Sequence, residues 1–98
     1  MKILIVEDDA LLSELLREYL QKLNHETVNI CSTGRAALLS VGREIYDCAF
    51  IDVMLPDMNG LQLLEQIRDE NLLLPVVMMS GYPTMDFTLE AMRNGASD

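Results

Sequence analysis

Basic side chains are scarce: seven Lys and Arg stand against 16 Asp and Glu over 98 residues, a net charge of −9. That balance excludes binding of nucleic acid or an anionic membrane by this segment, because both need clustered Lys and Arg. Long apolar runs are missing too. None approaches the ~20 residues of a membrane helix, and no secretory signal precedes the first apolar run, so the segment is expected in the cytoplasm. Only two cysteines occur, Cys31 and Cys48, without metal-like spacing. Two reduced cytosolic thiols fit them better than one disulfide. His25 sits in a polar connection and reads as a solvated loop residue. No linker, repeat or low-complexity tract interrupts the chain. No Gly-x-Gly-x-x-Gly follows the first apolar run, which argues against dinucleotide binding.

What is present is globular: half the residues are hydrophobic and 23% are charged, enough for one small domain. Two periodicities alternate along it. Ile3 to Val6 is a continuous apolar run, as in a parallel strand buried on both faces. From Ala10 to about Leu23 the spacing turns helical, with Leu12, Leu15, Leu16, Tyr19, Leu20 and Leu23 as its stripe and Asp8 or Asp9 as cap. Further strands are expected at Thr27 to Cys31, Asp47 to Ile51 and Pro75 to Met79. Helices are expected from about Thr33 to Arg43, Leu61 to Asn71 and Thr84 to Asn94, the last stopped by Gly95. The order βαβαβαβα implies a doubly wound α/β fold with a parallel sheet and right-handed crossovers.

The informative residues are carboxylates at two strand ends: Glu7, Asp8 and Asp9 after KILIV, and Asp52 after CAFI. Strand C-termini of a parallel sheet share one edge, and ligands bind in the crevice outside it. If those strands are neighbours, each close carboxylate pair repels by roughly 4 kcal/mol at about 4 Å and an effective dielectric of ~20. A divalent cation, a shifted pKa or a chemical task should accompany such crowding. Magnesium suits it, since it prefers oxygen ligands and is often held by one or two carboxylates. Asp52 can act as a nucleophile toward phosphorus, and Ser80, ending the fourth strand, can donate to a phosphoryl oxygen. The loop from Pro56 to Gly60 shapes the rim, with Gly60 free to take a left-handed conformation. Met54, Met58, Met78, Met79, Met85 and Met92 read as core or rim packing.

KILIVEDDALL, CAFIDVMLPDMNGLQLLEQIR, PVVMMSGYPT and EAMRNGASD, in this order along the whole chain, resemble the receiver domain of bacterial two-component response regulators. The resemblance implies a flavodoxin-like sheet of order 2-1-3-4. It implies a phosphorylation-switched signalling domain, with no enzyme activity beyond its own phosphorylation and dephosphorylation. Asp52 would accept a phosphoryl group from a sensor histidine kinase or a phosphotransfer protein, and an output domain would respond. Mg2+ would be bound by Asp8 and Asp52, by Glu7 largely through water, and by the backbone carbonyl of Met54. Ser80 matches the switch hydroxyl that moves toward the installed phosphoryl group, and Asp9 is left as a helix cap. SGYPT and EAMRNGA are similar to receivers of enhancer-binding transcriptional activators.

The family has five βα units and this sequence presents four, so residues 1–98 are expected to be a receiver domain without its fifth unit. Relatives carry there an aromatic residue and a Lys-Pro pair whose lysine contacts the phosphoryl group. Lys2 and Lys22 lie in the wrong elements, and Tyr82 falls in the loop after the fourth strand. The fourth strand would then end the sheet as an apolar edge, with self-association through it, or exchange of an element, as the expected cover. Met54 and Tyr82, two positions beyond the acceptor and the switch hydroxyl, offer no carboxylate or carboxamide to orient water. Slow self-dephosphorylation follows from the resemblance. Two other readings stand beside it. One is a receiver-fold dimerisation or interaction module that is not phosphorylated. The other is a haloacid-type phosphatase, which would show Asp-x-Asp on its first strand.

Overall fold

The computed structural model describes residues 1–24, 27–71, 73–79, 93 and 95–97. Strands Lys2–Val6 (β1), Thr27–Cys31 (β2), Cys48–Asp52 (β3) and Val76–Met79 (β4) form one parallel sheet in the order β2-β1-β3-β4. Helices Ala10–Asn24 (α1), Gly34–Arg43 (α2) and Gly60–Glu70 (α3) make the crossovers. The expected order and elements stand through the fourth strand, with strand limits moved by a residue. Asp52 belongs to β3 and does not merely follow it. Pro75 stays outside β4 because it has no N–H for the ladder, while its carbonyl accepts from Ala49 N at 3.0 Å. The loop expected from Ser80 to Pro83 and the helix expected from Thr84 lie, apart from Arg93, outside the described residues. His25 does too. Gly95 has φ +95°, the left-handed conformation anticipated for a helix stop.

Alternate residues of a strand point to opposite faces, which explains why β1 is apolar throughout. Leu4 and Val6 join Ala49, Ile51 and Val76 beneath α2 and α3, against Ala37, Leu61, Leu63, Leu64 and Ile67. Ile3 and Ile5 lie on the other face with Val28, packed by Leu16 and Leu20 of α1 and by Ile30 and Phe50. Of the stripe expected on α1, only Leu16 and Leu20 pack in this way. Leu12, Leu15, Tyr19 and Leu23 are 48 to 61% exposed. The packed strip of α1 is therefore narrow: one side chain per turn, Leu16 and then Leu20, lies on Ile3, Ile5 and Val28.

Helix starts are capped by side chains. Asp9 Oδ1 accepts from Leu11 N and Leu12 N at 3.0 and 3.1 Å, so Asp9 and not Asp8 caps α1. Thr33 Oγ1 accepts from Ala36 N at 3.1 Å. Asn59 accepts from Leu61 N at 2.7 Å while its own N–H donates to Gln62 Oε1 at 3.1 Å. Cys31 and Cys48 are free thiols at opposite ends of β1, registered on Val6 and Ile3. The edge of β4 is not wholly bare. Ser97 N donates to Val76 O at 2.8 Å and Val76 N to Ser97 Oγ at 3.3 Å, filling its first rung. Among the described residues, no helix is long and apolar enough to cross a membrane.

Candidate functional site

β1 lies between β2 and β3, so the residues that end β1 and β3 meet at one edge. Val6 is registered on Ile51 and Asp52 on Met79. Glu7 N donates to Cys31 O at 3.0 Å, which ties the residue after β1 to the end of β2. One carboxylate oxygen each from Glu7, Asp8 and Asp52 lies within 4.8 Å of the others. Their exposure is graded: Glu7 is buried, Asp52 half-buried and Asp8 exposed.

The crowding leaves an electrostatic trace. Burial is the main cause that pushes the Glu7 carboxyl up to about 7. A hydrogen bond from Asp9 N to Glu7 Oε2, 3.2 Å long, works the other way, and the Asp52 and Asp8 carboxyls add to the upward push. Three carboxylates without nitrogen or sulfur donors form the kind of set that a hard divalent cation takes. The donor chemistry therefore fits Mg2+, and a cation there would relieve the charge that Glu7 resists.

The loop after β3 completes this edge. Met54 N donates to Asp52 Oδ1 at 3.3 Å, Met54 and Asn59 form a one-rung bridge, and Gly60 N donates to Val53 O at 2.7 Å. Gly60 is needed there for closeness and not for left-handed backbone, contrary to the expectation. It starts α3, and a Cβ on it would sit 2.2 Å from the Asp52 carbonyl oxygen. Met58 and Met78 pack against the core as anticipated, whereas Met54 is 76% exposed. Ser80, Tyr82, Met85 and Met92 lie outside the described residues, although Met79, which precedes Ser80, is the partner of Asp52.

Two features escape a local reading of the sequence. The Asn59 and Gln62 capping pair could have been found, because a cap residue followed three positions later by Gln is a helix-start signature. The second is Asp57, whose carboxylate binds Gly34 N and Arg35 N, more than 20 residues earlier. Nothing near it in the chain announces that contact.

A parallel 2-1-3-4 sheet with acidic residues grouped at its carboxyl edge defines a doubly wound α/β domain of the CheY-like, flavodoxin type. The same fold appears in the receiver domain of the Francisella response regulator 1452, with a TM-score of 0.92 and 26% identity, over 99% of this chain and 79% of that one. NtrX of Brucella abortus shows it with a TM-score of 0.90 and 28% identity, over 99% of this chain and 22% of that one. The family model for the response regulator receiver domain matches residues 3–98. FleR, a response regulator protein of Pseudomonas aeruginosa, is 43% identical over 97 residues, 99% of this chain and 20% of its own length. The regulatory protein LuxO of Vibrio cholerae is 39% identical over 94 residues, 96% of this chain and 20% of its own length. The chain belongs to the response regulator receiver domain family and spans about a fifth of the length of these curated relatives.

Proposed function

We propose that Asp52 is the phosphoacceptor of a two-component signalling switch, and the observation that carries this reading is the meeting of Glu7, Asp8 and Asp52 oxygens within 4.8 Å. An Asp52 carboxylate oxygen attacks the phosphorus of a donor phosphohistidine, the phosphorus–nitrogen bond breaks, and the imidazole leaves with its electron pair. Glu7, Asp8, Asp52 and the Met54 carbonyl are the groups that would hold Mg2+, with Glu7 acting through water. The ion, when bound, supplies neutralisation of the acidic cluster and of the charge on the transferring phosphoryl group. The chain's own part is placement: β3 and Gly60 fix the main chain of Asp52, and the Met54 N–H orients one of its carboxylate oxygens. Ser80 is the switch hydroxyl in this reading.

The partners are a sensor histidine kinase or phosphotransfer protein in the cytoplasm and an output domain in the full-length polypeptide. There, the reading also calls for a fifth βα unit with a phosphoryl-contacting lysine. Turnover is limited to the domain's own phosphorylation and dephosphorylation. The test is acetyl phosphate with Mg2+, read by intact mass. One added phosphoryl group is expected, absent after Asp52→Asn and absent when Mg2+ is chelated. Labelling that survives Asp52→Asn would overturn the assignment. With Met54 and Tyr82 unchanged the label should persist, and a half-life of seconds would contradict the roles given to those two side chains.

One observation favours a second reading, an unphosphorylated interaction module. The exposed Leu12, Leu15, Tyr19 and Leu23 of α1 are apolar surface suited to a partner or a second copy. Normal partner binding by Asp52→Asn, with no label on the parent protein, would support it.

A further inference from the structure

The loop between β3 and α3 carries the Met54 carbonyl, yet it is thinly covered: Pro56, Asp57 and Asn59 are exposed along with Met54. An exposed loop keeps one geometry only where something ties it down. Its base is closed by the Met54 and Asn59 bridge and by Gly60 N on Val53 O. Its tip is tied to a different element. Asp57 Oδ1 accepts from Gly34 N and Oδ2 from Arg35 N, both at 2.9 Å. Beside that clamp, Met58 lies so close to Gly34 that a Cβ there would sit 2.5 Å from Met58 Sδ.

These contacts divide the start of α2 between two caps. Thr33, local to the helix, takes Ala36 N, while Asp57 reaches in from another loop to take the two preceding N–H groups. The first turn of α2 holds no acidic residue, so Asp57 supplies the negative charge that its N-terminal dipole favours. Those two donors hold the Asp57 carboxyl below its usual range. For α2, already capped by Thr33, the clamp is an addition. For the loop, whose Leu55 and Met58 pack on the core, it is the polar tie that joins the exposed tip to α2.

Resting on the site reading above, we propose that Asp57 is a positioning residue for the cation and phosphoacceptor site: its grip on α2 fixes the loop and, through it, the Met54 carbonyl. The inference predicts that cation affinity depends on Asp57 more than helix stability does. Groups that orient metal ligands are commonly worth about 10- to 100-fold in affinity. Met54 would be one contact among several, so the low end is expected.

Mg2+ alone, titrated calorimetrically into the full-length polypeptide, tests this with four proteins: the parent, Asp57→Ala, Asp57→Asn and Thr33→Ala. Thermal melts run alongside, and Asp57→Asn carries the test should the alanine variant fail to fold. Asp57→Ala should weaken Mg2+ on the order of tenfold, with Asp57→Asn between it and the parent because one acceptor oxygen remains. Thr33→Ala, which uncaps the same helix without touching the loop, should melt earlier yet bind Mg2+ within about twofold of the parent, because the grip of Asp57 on Gly34 N and Arg35 N is intact. Parent-like affinity in both Asp57 variants overturns the proposal. So does an equal loss in Thr33→Ala, which would trace the effect to the helix. A parent that takes up no Mg2+ instead sinks the site reading itself, and this inference with it.

Discussion

The two ends of this sheet treat charge in opposite ways. At the amino-terminal end, Lys2 Nζ meets Glu44 Oε1 at 2.5 Å, and Glu44 Oε2 accepts from Asn29 Nδ2 and the Tyr46 hydroxyl at 3.0 Å each. Asp47 Oδ2 accepts from Lys2 N at 2.6 Å, and the Tyr46 hydroxyl also lies 2.5 Å from Ser40 Oγ. At the carboxyl end, Glu7, Asp8 and Asp52 crowd like charges together. Two glutamates measure the contrast. Hydrogen bonds from Lys2 and Tyr46 hold Glu44 below the usual carboxylate range, whereas burial and acidic neighbours push Glu7 up to about 7. Mutual satisfaction at one end and crowded like charges at the other is the pattern of a scaffold carrying a site.

The largest expected effect comes from Glu7→Gln. The folded carboxyl, at about 7 instead of 4.5, holds its proton more tightly than the unfolded one does. Its contribution to stability is therefore full below about 4.5 and is lost as pH rises through about 7. With water reaching the exposed side of the cluster, the decline attributable to Glu7 should be about 1–2 kcal/mol. Urea midpoints without metal, compared at pH 5 and pH 8, should fall more in the parent than in Glu7→Gln. Saturating Mg2+ should remove the decline in the parent. Identical pH profiles for the two proteins would show that the carboxyl end is not strained, and the contrast would dissolve.

Much of this arrangement was legible in the chain because it depends on short-range rules. The apolar run of β1 and the helical spacing after it give a parallel α/β sheet, and strand ends in such a sheet share an edge. That puts Glu7, Asp8 and Asp52 at one edge, and they meet there if β1 and β3 are neighbours. The strand order itself came from the family resemblance. What stayed hidden depends on packing and on long-range partners. The stripe of α1 reads as a buried face, yet only Leu16 and Leu20 meet the sheet, and Leu12 and Leu15 remain outside. Gly60 reads as a turn residue, while its real constraint is the Asp52 carbonyl beneath it. Asp57 and the amino-end cluster around Tyr46 join residues far apart in sequence, and no local pattern encodes them.

A smaller effect is expected from Tyr46→Phe at the satisfied end. The ring stays buried, but Ser40, Asn29 and Glu44 each lose contact with its hydroxyl. One net hydrogen bond, partly charge-assisted, puts the loss at about 1–1.5 kcal/mol in urea unfolding. Mg2+ binding should be unchanged, since the two ends are separated by the length of β1, roughly 15 Å. A weakened Mg2+ affinity would mean that the ends are coupled through the sheet, and the division between scaffold and site would need redrawing.

The smallest effect, and the sharpest control, is Asp47→Asn. It is the same carboxyl-to-amide change as Glu7→Gln, made at the satisfied end of a domain whose formal net charge is −9. Its oxygen can still accept from Lys2 N, the bond that Asp47 now makes at 2.6 Å. Stability should therefore move by less than about 0.5 kcal/mol, with a pH profile parallel to the parent's. If Asp47→Asn instead flattened the profile as much as Glu7→Gln, the pH dependence would belong to the overall acidity of the domain. Unequal responses to one chemical change, at two ends of one sheet, can arise only from the local surroundings of Glu7.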